Sequence, residues 1–173
     1  KDLIKIWDDE LIERNIGIEI NYLKDYFDPK NLTELSYIDI GANIGLHTLR
    51  SALLTGEKGK VIAIEPSTWA INKLRQNLEL NPELNRIIEI RHHALGEKVE
   101  QSITLGFQSS YRLNGKNEIY SEVVDVLTLD SIAEHDSLQS VDFIKIDVDG
   151  HELHILRGAK QLLSISKPVL VVE

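Results

Sequence analysis

The sequence predicts a doubly wound α/β sandwich, in which a parallel sheet is covered by helices on both faces. Short apolar runs alternate along the chain with longer segments whose apolar residues recur at helical spacing. The short runs are apolar on both faces, as expected for buried parallel strands. Right-handed crossovers between such strands put helices on both sides of the sheet. A length of 173 residues suits one domain of this class.

Five apolar runs are the predicted strands, and three segments between them are the predicted helices. The strands are Tyr37–Ile40, Lys60–Glu65, Arg86–His92, Val141–Asp147 and 168–173. The first helix follows a glycine-containing loop and ends at Gly56, the second opens at Pro66 and Ser67, and the third covers 151–163. In such sheets ligands bind outside the carboxyl ends of the strands, so the polar clusters there are the candidate functional residues.

Two segments depart from this alternation. Residues 1–36 precede the first strand and are predicted to form a helical lead-in, because 17–27 has an amphipathic pattern. Residues 37–173 are then the ligand-binding domain. Within it, 100–127 contains two alternating runs separated by a polar loop, which predicts antiparallel strands in an insert over the rim of the sheet.

Composition limits the classes of function. The chain has no cysteine, which excludes disulfides, thiolate catalysis and zinc–thiolate sites. The formal net charge of −9 argues against a broad basic surface for nucleic acid. No apolar run reaches the length of a membrane span, and no leader is visible at the start. We therefore expect a cytoplasmic protein that binds neither nucleic acid nor membrane.

The stretch DIGANIG, from Asp39 to Gly45, follows the first strand and opens a helix. Gly41 allows a tight turn, and Gly45 is expected to let the helix pack closely on the sheet. A dinucleotide fingerprint has a glycine where this loop has Asn43, because pyrophosphate needs that space. The loop also has no Walker lysine. It therefore predicts a ligand without pyrophosphate at this point.

Glu65 ends the second strand and is placed to accept hydrogen bonds from ribose hydroxyls. Together with the loop, it indicates a nucleoside-bearing cofactor. S-adenosylmethionine fits, because it has ribose and adenine but no phosphate, and Asp39 could face its amino or sulfonium region. A nicotinamide-dependent oxidoreductase on the same type of sheet remains the alternative, although Asn43 argues against it.

The stretch KIDVDGHELHIL, from Lys145 to Leu156, suggests three chemistries. A calcium loop fails on spacing, because Gly150 is at position four where an EF-hand needs glycine at six. A zincin site needs histidines four apart, whereas His151 and His154 are three apart. We therefore expect no metal site, and interpret the stretch as a strand, a turn at the rim and the start of a helix. A divalent ion held by Asp147 and Asp149 stays the alternative.

Six segments of the chain, in order, resemble the FkbM-type class I methyltransferases, which use S-adenosylmethionine. They are YIDIGANIGLHTL, VIAIEPS with LRQNLELN, HHALGE, VVDVLTLDSI, VDFIKIDVDGHELHILRGA and PVLVVE. The resemblance covers roughly residues 10–173, and Asp149 stands where most members have Glu. It implies a Rossmann-like class I methyltransferase sandwich, O-methylation of a hydroxyl on a sugar, polysaccharide or natural product, and a small-molecule or carbohydrate acceptor.

The resemblance also implies a seven-stranded sheet, of which this chain apparently lacks the last two strands. An exposed apolar edge is then expected near Val169–Val172, where a second copy could pair to form a homo-oligomer. A non-catalytic S-adenosylmethionine-binding domain is the second alternative.

Site residues are carried over by position. The cofactor loop matches Gly41, Ala42, Asn43 and Gly45; the ribose acid is Glu65, with Pro66 and Ser67 beside it; His93 and Ala94 match the adenine site at the end of the third strand; Asp147 lies next to the reacting methyl group. An alcohol acceptor is a poor nucleophile, so a base that removes its proton can assist attack. Asp147 and His151 are the predicted catalytic residues.

Overall fold

The computed structural model of the chain describes residues 34–108, 119–138 and 140–173. Its main sheet has five parallel strands: Ser36–Ile40 (β1), Lys60–Ile64 (β2), Ile88–Arg91 (β3), Phe143–Ile146 (β7) and Val169–Val172 (β8). Their order across the sheet is β3-β2-β1-β7-β8. The direction of winding reverses between β1 and β7, where open α/β sheets bind their ligands. This topology confirms the predicted doubly wound class.

A second sheet of three strands lies between β3 and β7 in the chain. It contains Ala94–Leu95 (β4), Glu100–Gln108 (β5) and Ile119–Leu127 (β6), in the order β4-β6-β5. β5 and β6 pair antiparallel, which confirms the strand type predicted for the insert. The short strand β4 was missed, because two residues carry no periodic signal.

Five α-helices within the described residues cover the main sheet. They are Leu46–Thr55 (α1), Thr68–Glu79 (α2), Leu129–His135 (α3), Glu152–Arg157 (α4) and Lys160–Ser166 (α5). One face of the sheet packs Ile38, Ile62 and Ile144 against Leu129 and Leu162. The other face packs Tyr37, Val61 and Phe143 against Leu49 and Ala52 of α1. Alternate residues of each strand therefore enter separate cores, which explains why the strands are apolar on both faces.

The third predicted helix, 151–163, is wrong as one continuous element, because it divides into α4 and α5 around Gly158. The Gly158 backbone lies against Gly96, and a Cβ added there would be 2.1 Å from the Gly96 carbonyl oxygen. The carboxylate of Asp130 accepts hydrogen bonds from the N–H groups of Gln161 and Leu162, at 3.1 and 2.9 Å, and so caps α5. Both interactions come from distant segments, and helical periodicity does not report them.

Two expectations concern the ends of the sequence. The helical lead-in, 1–36, lies outside the described residues except for 34–36. β8 is an edge strand of the described sheet, with Leu170 and Val172 exposed, and its pairing with a second copy stays a prediction. Across the three described ranges, none of the helices is both long and apolar enough for a membrane crossing.

Gly158→Ala should destabilise the fold by about 1–3 kcal/mol, because the new methyl group must displace the Gly96 backbone. Gly106→Ala is the matched control, since a Cβ there would meet nothing within 4 Å. We expect the control to change the free energy of unfolding by less than about 0.5 kcal/mol. Urea denaturation of both variants measures the difference. Equal stability of the two would contradict the close approach at Gly158.

Candidate functional site

A cleft of about 1150 Å³ lies at the carboxyl ends of β1, β2 and β7. Its floor includes Gly41 of the loop after β1 and Pro66 of the loop after β2. The stretch 93–98 and one face of β5 form one wall, and the turn 149–151 with the start of α4 forms another. The second sheet therefore encloses the switch point of the main sheet, which is the position between β1 and β7 where the winding reverses. The polar clusters of the sequence were predicted to lie at this edge.

The loop after β1 is held against both neighbouring strands. The N–H groups of Gly41 and Ala42 both donate to the carbonyl oxygen of Ile64, at 3.0 and 3.1 Å. Gly41 has φ of 76°, and a Cβ on it would lie 1.8 Å from the carbonyl oxygen of Asp147. Only glycine fits between these strand ends. Asn43, with φ of 49°, also occupies the left-handed region.

Gly45 packs on a helix rather than on the sheet. A Cβ at Gly45 would approach Leu74 Cδ1 of α2 to 2.1 Å. The expectation of close helix–sheet packing is therefore corrected to close packing between the start of α1 and α2. The cleft lining includes Gly41 of this loop but not Ala42, Asn43 or Gly45, whose cofactor contacts stay predictions.

The Glu65 carboxylate connects the loop after β1 to the loop after β2 through hydrogen bonds. Its Oε2 accepts the N–H of Asn43 at 2.9 Å, and its Oε1 accepts the N–H of Ser67 at 2.9 Å. Burial raises the pKa of the Glu65 carboxyl above its ordinary value, while the two N–H donors act in the opposite direction. Only 7% of the residue is exposed. Each oxygen has acceptor capacity left for a ligand hydroxyl.

The side chains of Asp39 and Ser67 bind inside the protein rather than in the cleft. Asp39 is fully buried and accepts the hydroxyl of Thr48 at 2.6 Å. Ser67 caps α2, where its Oγ accepts the N–H of Ala70, and the same oxygen lies 2.7 Å from the Tyr120 hydroxyl. These hydrogen bonds support the loops, and the predicted contacts of the two residues with the cofactor stay predictions.

His93 and Ala94 line the cleft as predicted, but on a different element. β3 ends at Arg91, so His93 lies in the connection and Ala94 begins β4 of the second sheet. Burial lowers the pKa of His93, which favours its neutral ring. Its Nδ1 is buried, with no hydrogen-bond partner in the described part of the chain. The two residues expected to hold adenine thus come from this connection and from the start of the second sheet, and their contact with adenine stays a prediction.

Asp147 follows β7 at the rim, beside the first loop. Its N–H donates to the carbonyl oxygen of Ile40 at 3.1 Å, which extends the pairing of β7 with β1. Its side chain is 40% exposed, and Oδ2 accepts a hydrogen bond from Lys145 at 3.0 Å. The chain then turns through Asp149 and Gly150, whose φ angles are 54° and 103°. This turn brings Asp149 and His151 to the cleft wall.

His151 and His154 stack in the wall of the cleft, with ring centroids 4.6 Å apart. This arrangement confirms that the two share a helix face, as their spacing of three residues predicts. His154 Nδ1 lies 3.8 Å from a Glu97 carboxylate oxygen, which is also 3.6 Å from Arg157. Glu97 was not predicted at this site, because it comes from a separate loop. Among the described residues no group of three or more His, Cys, Asp or Glu is placed to hold a metal.

One wall of the cleft was not predicted residue by residue. Ile103, Leu105 and Phe107 alternate along β5 and line the cleft. The Phe107 ring stacks on Tyr120 of β6, with centroids 5.5 Å apart. The period-two pattern of β5 was the available signal, but it does not say which face meets the site.

Comparison with known proteins matches residues 39–173 to the methyltransferase FkbM domain. The chain is 26% identical over 136 residues to the hexuronic acid methyltransferase AglP of Haloferax volcanii, covering 77% of this chain and 53% of that protein. It is also 26% identical over 136 residues to a probable cobalt-precorrin-6B C(15)-methyltransferase (decarboxylating) of Saccharolobus solfataricus, covering 71% of this chain and 67% of that protein.

Among solved structures, the chain is similar to methyltransferase FkbM of Methylobacillus flagellatus KT. The TM-score is 0.60 and the identity 25%, over 81% of this chain and 32% of that chain. The chain thus spans about half the length of the first curated relative and about a third of this structure.

The buried Glu65 carboxyl should give stability an unusual pH dependence. Because burial raises its pKa, the folded protein binds this proton more tightly than the unfolded chain does. The stability of wild type relative to Glu65→Gln should therefore fall as pH rises from the ordinary value of 4.5 through the raised pKa, and then stay constant. Urea denaturation of both proteins across this range measures the difference.

Glu152→Gln is a control of opposite sign. A hydrogen bond from the N–H of Gly150 is the main cause that lowers the pKa of Glu152. Wild-type stability relative to this variant should therefore rise as pH increases through the lowered pKa. If the Glu65→Gln comparison showed the same sign as the control, the N–H donors would outweigh burial at Glu65.

Proposed function

We propose, from the premise that the chain belongs to the FkbM methyltransferase family, that it transfers the methyl group of S-adenosylmethionine to a hydroxyl oxygen of a sugar or related natural product. One observation carries the proposal. A single cleft is lined both by the cofactor positions Gly41, Pro66, His93 and Ala94 and by the rim residue His151. Every residue that lines this cleft lies within the matched domain, 39–173.

The residues at the carboxyl ends of β1 and β2 suit S-adenosylmethionine. Glu65 has oxygens that can accept ribose hydroxyls while they hold the loops through Asn43 and Ser67. Asn43 carries a side chain where a pyrophosphate-binding loop has glycine. His93 and Ala94 offer a wall for adenine. When bound, the cofactor supplies an activated methyl group.

The protein's own contributions are alignment, exclusion of water and acceptance of a proton. As the new C–O bond forms and the methyl C–S bond breaks, the acceptor hydroxyl must lose its proton. We assign Asp147 as the group that receives it, because its Oδ1 has no hydrogen-bond partner among the described residues while Oδ2 is held by Lys145. His151, in the cleft wall, is the second residue placed to receive it.

The size and lining of the cleft favour a carbohydrate as the methyl acceptor. A volume of about 1150 Å³ exceeds the range of about 300–1,000 Å³ that is usual for one small ligand, which leaves room for cofactor and acceptor together. The Phe107 ring and Leu105 offer an apolar surface for a sugar ring, and Lys98 adds a cation at the wall. Since AglP is named for a hexuronic acid, a uronic acid is the first acceptor to test.

Mass spectrometry provides the direct test of the proposed function. One sample of the purified protein is denatured and searched for bound S-adenosylmethionine or S-adenosylhomocysteine. A second, native sample is incubated with methyl-deuterated S-adenosylmethionine and a panel of uronic acids and neutral sugars. We expect the deuterated methyl group to be transferred to a hydroxyl oxygen of either the uronic acids or the neutral sugars. S-adenosylhomocysteine binding without transfer to any acceptor would favour a non-catalytic binding domain. Tight NAD binding without response to S-adenosylhomocysteine would favour the oxidoreductase alternative.

Asp147→Asn should lower kcat by about 100-fold or more, because an amide cannot accept the acceptor proton. The dissociation constant of S-adenosylhomocysteine should change little, since the variant keeps the size and hydrogen bonding of the side chain. Asp149→Asn is the matched control at the same rim, and asparagine tolerates its positive φ. Unchanged kcat in Asp147→Asn, measured under saturating cofactor, would remove Asp147 from the mechanism.

A further inference from the structure

A buried lysine lies below the proposed proton acceptor. Lys145 is in the middle of β7, where its backbone is the register partner of Asp39 on β1. Its side chain is only 5% exposed. Its ammonium group contacts two carboxylates, Asp147 Oδ2 at 3.0 Å and Asp39 Oδ1 at 3.8 Å. One cation is thus shared between carboxylates on two adjacent strands.

The two contacts are unequal. The distance to Asp147 is that of a charge-assisted hydrogen bond, whereas the distance to Asp39 is that of an ion pair without one. Asp39 instead receives its hydrogen bond from the Thr48 hydroxyl, and its Oδ1 has no hydrogen-bond partner among the described residues. Of these two carboxylates, the one at the rim therefore accepts the hydrogen bond from Lys145.

The Lys145 side chain is buried beside partners that are themselves held in place. Asp39 accepts the hydroxyl of Thr48 from α1, and the Gly41 loop lies directly against the backbone of Asp147. A buried ammonium group that is fixed by Asp39 is a rigid hydrogen-bond donor, and leaving it unpaired would be costly. An exposed lysine would hold the same carboxylate only loosely, because its long side chain keeps its rotamer freedom.

We propose that Lys145 is a positioning residue that holds Asp147 Oδ2 from below and turns Oδ1 towards the acceptor. Asp39 fixes Lys145 in turn, so the three residues form one unit at the switch point. The mechanistic part of this inference rests on the proposed function, because it assumes that Asp147 receives the proton. The structural part, that Lys145 determines the orientation of Asp147, stands on geometry alone.

The test uses Lys145→Met, Asp39→Asn and the double variant. With ionised carboxylates, the three positions carry two negative charges and one positive charge in wild type, a net charge of −1. In the double variant only Asp147 is charged, so the net charge is again −1. Lys145→Met alone leaves the buried Asp39 without its cation and should lower stability. The double variant removes that unpaired charge and should recover the thermal midpoint.

Turnover then separates positioning from structural support. If Lys145 positions Asp147, the double variant should regain stability but keep a kcat about 10- to 100-fold below wild type, at unchanged affinity for S-adenosylhomocysteine. If Lys145 only compensates the charge of Asp39, stability and kcat should recover together, and the inference is wrong.

Crystal structures give a readout that does not depend on turnover. In wild type with S-adenosylhomocysteine, we expect a single Asp147 rotamer with Oδ2 on Lys145, and in the double variant a displaced or divided one. The same single rotamer in both proteins would overturn the inference even if methyl transfer is found. Conversely, a displaced Asp147 in a protein without any methyl transfer would support the positioning role and reject the proposed function.

Discussion

The close approach of Gly41 to the carbonyl oxygen of Asp147 is the constraint on which the site depends. At this point the first loop and the end of β7 touch, with no room for a Cβ between them. The contact brings the predicted cofactor loop beside the rim that carries Asp147 and His151. It also occurs where the winding of the sheet reverses, which is where a doubly wound sheet opens a crevice. A larger residue at position 41 would separate the two halves of the site.

Several residues in the segments that resemble the family stabilise the fold and do not line the cleft. Thr128 forms a capping box with Ser131 at the start of α3, and Asp130 caps the distant helix α5. Gly158 allows the α4–α5 junction to meet the Gly96 backbone. These contacts fix the stretch that carries Glu97 against the helix that carries His154. A family signature therefore indicates the site partly through the scaffold that positions it.

Much of the fold followed from the sequence, because parallel strands leave a strong local signal in apolar runs such as FIKI. The candidate site could be predicted from the sequence only in part. Local patterns correctly placed Gly41 and His151 at the rim, since residues after a buried strand lie at its carboxyl end. They could not show that Asp39 faces inward to Thr48, because alternation along a strand does not say which buried face meets a polar partner. They also missed Glu97, which reaches His154 only through tertiary packing.

Three carboxylates lie at or near the ends of β1, β2 and β7, and the protein compensates each in a different way. Backbone N–H groups hold Glu65, a lysine holds Asp147, and Asp39 has a hydroxyl and that same lysine. The negative charges are not fully compensated: burial is the main cause of the raised pKa of Glu65, and the charge of Asp39 also raises it. Negative potential therefore persists at the switch point. A cationic ligand relieves it, whereas a pyrophosphate would increase it, so the electrostatics of the sheet edge favour a sulfonium cofactor over a dinucleotide.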